Sequence, residues 1–361
     1  MLVAHFVYNF WNYSGATAQA VKLADSLNST SDVKSIFFNN TVNSLKWYRE
    51  SVVEDKIVID LPNNLLLKLF SILATNKKYN PDVYHFHGFH RLGLILTVLL
   101  NIPTFFKCTL LGKDDFPSLL KGRNRSLTYF ILARIGKINC LNRVIQDLNY
   151  ECIPDANLEI IPNGVVMPVD VERSLYNQKK KFFLFAGAIV ERKQPLEVIR
   201  FFNDNYASQG YNLILAGPHD SSVAEFEQDY FELCKAESQR FNSEQIQFVG
   251  NVESSRLKKY YAQSTGLIFF SLREGTPNVV LEAMSWDCPV IFLKRDVIVA
   301  DLIGYELSVT LSLDNFDSPG PEPEMLLSIA RDGLASQRAR LFDIDQTAVK
   351  HYTLYLEMLK T

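Results

Sequence analysis

The sequence predicts an α/β protein made of two Rossmann-like, doubly wound parallel-sheet domains facing across a cleft. Three observations support this. Short β-rich runs alternate with helix-length segments along the 361 residues. The runs are apolar along their whole length, as strands are when both faces of a parallel sheet are covered. The alternation also restarts after a turn signal, Ile161-Pro-Asn-Gly164, as a second series of similar length.

Taken in order, Leu2–Tyr8 reads as a strand, and 16–27 as a helix with apolar residues at Ala20, Leu23, Ala24 and Leu27. Further strands are expected at 33–38, 57–60, 82–86, 103–107, 138–141 and 158–161, with helices at 65–74, 92–100 and 126–135. In the second series the strands are 181–186, 211–216, 246–249, 267–270 and 289–293, and the helices 195–202, 223–236, 254–262 and 277–286. The expected boundaries are 1–165 and 175–343, joined near 164–180, with a helix at about 344–361 packing back across the junction. Three strands of the second series run into Gly187, Gly217 and Gly250. Ligands of open parallel sheets bind beyond the carboxyl ends of the strands, so these glycines mark either turns or a lined crevice.

Composition narrows the function classes. Hydrophobic residues at 47% and charged residues at 21% are ordinary for a globular chain. A net charge of −3 gives no case for nucleic acid. Between Lys107 and Arg143, eight Lys or Arg face two Asp, a surface suited to an anionic membrane, a phosphate-bearing substrate or simple solvation. Five scattered cysteines without Cys-x-x-Cys pairing argue against a disulfide framework or a zinc site and for a reducing compartment. The first residues lack a basic region ahead of their apolar run, and Leu92–Phe106 is too short and interrupted to span a bilayer. A cytoplasmic protein is expected, with peripheral contact at the inner face of the plasma membrane left open.

The chemistry-bearing segment is Ser271-Leu-Arg-Glu274-Gly275-Thr276-Pro277-Asn278-Val-Val-Leu-Glu282-Ala-Met, which follows a strand and opens a helix. Thr276 is expected as N-cap and Pro277 as first helical residue. The N–H groups of Gly275 to Val279 and the helix dipole then form an anion site fit for a diphosphate. Glu282, on the second helical turn, suits a ribose diol, and Glu274 the hydroxyls of a sugar. Alone, either glutamate reads as a solvated charge; paired around a Gly-Thr-Pro helix start after a buried strand, they are far more specific.

This segment resembles the Glu-x7-Glu motif of the family 4 glycosyltransferases, retaining enzymes of the GT-B fold. The match runs through Ala283 and Met284 and keeps Pro289-Val-Ile291, with Asp287 where Gly is usual. Phe185-Ala-Gly187-Ala-Ile-Val-Glu-Arg192-Lys193, the segments at Gly217 and Gly250, and the turn at Gly164 resemble other family stretches in the right order. The resemblance implies a nucleotide-sugar donor, with UDP or GDP as the nucleotide. It places Glu282 on the ribose and Val252 beside the base, with Arg192 and Lys193 neutralising the leaving diphosphate. Ala188 stands where the family has Arg, which shifts that load towards Arg192. It further implies front-face substitution with Glu274 holding the sugar, and no metal or cofactor.

The first half matches less closely. Gly15 falls where the family has a Gly-Gly loop near the diphosphate. Tyr84-His85-Phe86-His87-Gly88 resembles the family's Val-His-x-His-Gly, with His85 expected inside the layers and His87 at the crevice. Thr109 stands where many members carry an acceptor-side His, and Lys113, Asp114 and Asp115 are either acceptor contacts or a solvated loop. The implied acceptor is a glycan or lipid-linked saccharide in bacterial capsule or exopolysaccharide synthesis. Two other readings stay open. One is another GT-B enzyme such as a sugar-nucleotide epimerase or a phosphorylase, which should lack the Glu-x7-Glu segment. The other is a non-catalytic partner of an active transferase, against which stand the intact Lys193, Glu274 and Glu282.

Overall fold

The computed structural model describes residues 1–11, 14–40, 49–122, 124–170, 172, 178–223, 225–241 and 244–360. Of the expected junction, residues 171 and 173–177 therefore lie outside the described residues, as does Arg123 of the basic stretch. The chain divides into two compact units. The first holds Met1–Gly164, Glu274–Thr276 and Ile344–Thr361, and the second Val165–Arg273 and Pro277–Asp343.

Eight strands form the sheet of the first unit: β1 (Leu2–Tyr8), β2 (Lys34–Asn40), β3 (Arg49–Val53), β4 (Lys56–Asp60), β5 (Val83–His87), β6 (Thr104–Cys108), β7 (Lys137–Cys140) and β8 (Leu158–Ile160). Their order is β3-β4-β2-β1-β5-β6-β7-β8, all parallel except β3 against β4. The strand β3 has no counterpart in the sequence reading. Arg-Glu-Ser-Val-Val is a half-polar edge strand, stitched to β4 across a short turn whose residues Glu54 and Asp55 take positive φ.

Strand parity sorts the two faces of this sheet. Ala4, Phe6, Phe86, Phe106 and Ile138 point to one face, where Ile72, Leu94, Ile131 and Ile145 of helices Leu65–Tyr79, Arg91–Leu99, Arg125–Leu132 and Arg143–Cys152 pack on them. Val3, Val83 and Phe105 point to the other, against Leu23 and Leu27 of helix Gly15–Ser31 and Ile344, Ala348 and Tyr355 of helix Ile344–Met358. Ser14 caps helix Gly15–Ser31, its side chain accepting from Thr17 N at 3.3 Å. The last helix is fastened by Ser26 Oγ donating to Asp345 at 2.6 Å and by Lys137 pairing with Glu357 at 3.1 Å.

The second unit holds β9 (Phe182–Ala186), β10 (Asn212–Ala216), β11 (Ile246–Gly250), β12 (Gly266–Phe269), β13 (Val290–Leu293) and β14 (Ser312–Leu313). The order is β11-β10-β9-β12-β13-β14, parallel throughout, with the chain reversing its direction of winding between β9 and β12. That reversal is the topological switch point at which such sheets bind ligands. The helix expected at 223–236 instead spans Gln228–Phe241; Val223 N bonds back to Asp220 O, closing a turn that delays the helix. All five cysteines are free. Among the described residues no helix is long and apolar enough to cross a membrane.

Candidate functional site

Two loops leave the sheet of the second unit at its switch point, one after β9 and one after β12. They are tied together by Leu272 N donating to Arg192 O at 2.9 Å and Arg192 Nη1 donating to Arg273 O at 3.1 Å. Arg192 also pairs with Glu225 at 2.9 Å. Its guanidinium is thus a loop clamp with a carboxylate beside it, which lowers its worth as a phosphate ligand relative to the sequence reading. Lys193 follows on a single 3-10 turn, Glu191–Lys193. Its side-chain carbons lie 3.8 Å from where a Cβ on Gly187 would sit, so the glycine leaves that lysine room. Glu225 gave no signal in the sequence, because its partner is 33 residues away in the chain.

The three strand-end glycines differ in kind. Gly217 takes φ +159, and any Cβ there would collide with the Gly187 carbonyl. Gly187 N bonds to Ala216 O at 2.9 Å and Gly217 N to Gly250 O at 2.8 Å. Gly217 is therefore required by backbone meeting backbone, whereas Gly187 (φ +146) and Gly250 (φ +70) face looser surroundings. Val252, just beyond β11, is partly buried.

The helix after β12 runs Asn278–Ser285, with Pro277 as N-cap rather than Thr276. Pro277 has no side-chain acceptor, so it cannot cap the helix itself, and the first turn holds no acidic residue. Thr276 is otherwise engaged, its hydroxyl donating to Leu141 O at 3.1 Å. Glu282 is half-buried and accepts from the hydroxyl of the buried Tyr261 at 3.2 Å, which fixes one carboxylate oxygen. Tyr261 escaped the sequence reading because it lies in the apolar stripe of helix Ser254–Gln263, where an aromatic residue reads as packing.

Glu274, Gly275 and Thr276 belong to the first unit. Asn142 Nδ2 donates to Gly275 O at 2.8 Å and Asn163 Nδ2 to Thr276 O at 3.1 Å. A Cβ on Gly275 would collide with the Thr109 carbonyl and come within 2.6 Å of Leu141 Cδ1. A side chain there has no room against this backbone, so glycine is required for packing. Glu274 is half-buried. Gly15 is the exposed first residue of helix Gly15–Ser31, behind the Ser14 cap.

His85 and His87, two apart on β5, share a face of the sheet. His87 is 2% exposed, its Nε2 3.0 Å from His5 Nδ1 and its ring stacked 4.0 Å from that of His85. His85 in turn bonds Tyr355 Oη at 2.6 Å. Burial, His5 and Lys107 hold the His87 pKa well below the usual range, so this ring stays neutral. His5, His85 and His87 are close enough to suggest a metal centre. Two of the three rings are already engaged with each other, His5 Nδ1 and His87 Nε2 sharing a hydrogen bond, and His85 Nδ1 is taken by Tyr355. Lys107, on the same sheet face and 4% exposed, adds a cation whose pKa burial lowers to about 7.

Asp114 and Asp115 are neither solvated nor turned outward. Asp114 accepts from Thr109 N, Leu110 N and Thr109 Oγ1 at 2.6–2.9 Å, and Asp115 caps Ser118 N at 2.9 Å while also accepting from Gly112 N. Both carboxylates are buried and fold the 109–115 loop upon itself.

Residues 167–305 match the family model described as glycosyl transferases group 1, a span running from before β9 to beyond β13 and taking in both switch-point loops. No curated protein matches the sequence significantly. Among solved structures, the chain is similar to sucrose-phosphate synthase from Thermosynechococcus elongatus (16% identity, 100% of this chain and 99% of that one, TM-score 0.75). It is likewise similar to a glycosyltransferase from Rickettsia africae (14%, 100% and 99%, TM-score 0.72) and to Anabaena HepE in complex with UDP and glucose (13%, 98% and 98%, TM-score 0.67). The second unit carries a glycosyltransferase group 1 domain, and the two parallel-sheet α/β units have the GT-B fold.

Proposed function

We propose that this protein is a retaining glycosyltransferase of family 4, moving a sugar from a nucleotide diphosphate sugar to a glycan or lipid-linked acceptor in bacterial surface polysaccharide synthesis. The observation that carries the reading is Glu282, held by Tyr261 on the helix that opens beyond β12, inside the matched group 1 segment. UDP is the preferred nucleotide, as HepE was solved with it.

In this reading Glu282 accepts both ribose hydroxyls, and Val252 lies against the base. The start of helix Asn278–Ser285 and Lys193 take the diphosphate, with Arg192 keeping the two loops in register. Breaking the anomeric C–O bond leaves an electron pair on the β-phosphate oxygen, and fixed N–H groups and a cation placed there lower the barrier. That oxygen receives the acceptor hydroxyl's proton as the new C–O bond forms on the same face. Glu274 orients the donor sugar. His87, neutral and buried, keeps its place in the sheet layer and has no part in this scheme.

Thermal shift with UDP, GDP, ADP and their sugar conjugates tests the reading, because a ligand that binds only the folded chain stabilises it by about 2.7 kcal/mol at a hundred times its Kd. UDP is expected to raise the Tm of the wild type and to leave that of Glu282→Ala unmoved. A well-folded chain that responds to no nucleotide would overturn the proposal. Retention is checked separately, by the anomeric configuration of the product in NMR.

A further inference from the structure

The helical layer over the more apolar face of the first sheet has an unusual outer surface. Residues 61–80, 88–103 and 116–136, which supply helices Leu65–Tyr79, Arg91–Leu99 and Arg125–Leu132, contain no Asp or Glu and eight Lys or Arg. The chain as a whole has an excess of three acidic residues, so this layer is strongly polarised against the rest. The same layer presents large apolar side chains to solvent. Leu66 is 73% and Phe70 71% exposed, with Leu65 and Leu73 beside them on the first helix. Leu99 and Leu100 at the end of the second, and Leu127, Tyr129 and Phe130 on the third, are exposed as well.

Spacing shows that the first helix turns its larger apolar side chains outward. Ser71, Ile72 and Thr75 are turned inward, while Leu66, Phe70 and Leu73, at i, i+4 and i+7, make a stripe facing out. A soluble surface gains nothing from such a stripe, and patches of this kind mark binding surfaces. Arg134 lies 3.8 Å over the ring of Phe130, a cation and an aromatic presented together. A depression of about 410 Å³ on the third helix is lined by Pro117, Leu120, Lys121, Arg125 and Tyr129, with Glu151 and Cys152 closing one side.

We infer that this layer is a docking surface for an anionic phospholipid bilayer, with Leu66, Phe70 and Leu127 entering the interface and Lys121, Arg125 and Arg134 meeting lipid phosphates. The combination of cations without acids and exposed leucines and aromatics matches an anionic interface, where apolar insertion and charge act together. A second copy docked on itself here would set Lys121, Arg125 and Arg134 against like charges. The basic stretch Lys107–Arg143 contributes only in part: Lys107 is buried and Lys137 is engaged by Glu159 and Glu357. The surface is independent of the donor site, so its test uses no nucleotide.

The test is flotation of the full chain with vesicles of phosphatidylcholine alone or with about one-third phosphatidylglycerol. Binding is expected to the anionic vesicles only, to weaken as salt rises, and to be unaffected by millimolar inorganic phosphate. Leu66→Ser with Phe70→Ser, and separately Lys121→Glu with Arg125→Glu, should each weaken it by roughly tenfold or more. All four side chains are exposed, and unchanged Tm confirms that these variants fold. Equal binding to neutral vesicles, no binding to either, or wild-type binding by both double variants overturns the proposal. So does a concentration-dependent dimer in sedimentation that the leucine–phenylalanine variant abolishes, since the face would then be occupied by a second copy.

Discussion

Single residues show where chemistry type and location part company. Lys107 sits on a strand that reads as apolar in every other respect, and only its burial reveals a cation held among histidines. A Lys whose folded pKa is near 7, against about 10.4 unfolded, withholds stability at every pH below that upper value. Lys107→Met is therefore expected to raise Tm, most at or below pH 7, in thermal melts run from pH 6 to 9. Gly217→Ala should destabilise by roughly 1–3 kcal/mol in denaturant unfolding, because the added Cβ meets the Gly187 carbonyl; at Gly250 space is ample but φ +70 still disfavours alanine. Glu282 stands out in the sequence only through its pairing with Glu274 around a Gly-Thr-Pro helix start. Tyr261 and Glu225 were not, since their roles arise from contacts that no local pattern encodes.

At the scale of elements, strands such as Phe182–Ala186 and Val290–Leu293 were the most readable, since burial on both faces leaves a run with no polar break. The edge strand β3 and the start of helix Gln228–Phe241 were the least readable, one because half its residues meet water, the other because a local turn intervenes. The N-cap at Thr276 was misplaced for a physical reason: its hydroxyl finds a carbonyl at Leu141, 135 residues away, ahead of its own helix. Tyr261→Phe should leave the fold intact and weaken UDP binding by about threefold to tenfold in calorimetry, the net worth of one ordinary hydrogen bond, since Tyr261 acts on the ligand only through Glu282. Ser14→Ala, which removes a side-chain cap from helix Gly15–Ser31, should cost about 1 kcal/mol in the same unfolding assay.

The whole molecule responds to acid through its buried histidines. His5, His90 and His351 are each lowered to about 3, chiefly by burial. Between about pH 3 and the ordinary value of 6.5 the unfolded chain binds protons that the folded chain refuses. Stability therefore falls as pH drops through that window and has no more to lose from these groups below it. Melts between pH 6.5 and 5, above the carboxylate range, should show Tm declining, and His351→Gln should flatten the slope. The limiting steepness is about 1.4 kcal/mol per pH unit for each histidine.

The last helix, Ile344–Met358, supplies Ala348, Tyr355 and Met358 to the core of the first unit, although the chain between residues 165 and 343 is almost wholly given to the second. A ribosome making this protein therefore releases the second unit's sequence before the first can be finished. Until residues 344–358 emerge, Val3, Val83, Phe105 and the histidines beside them have helix Gly15–Ser31 on their side of the sheet but lack its companion. The first half of the chain to be made is the last to be completed, and it must wait with that surface uncovered while some two hundred further residues are added.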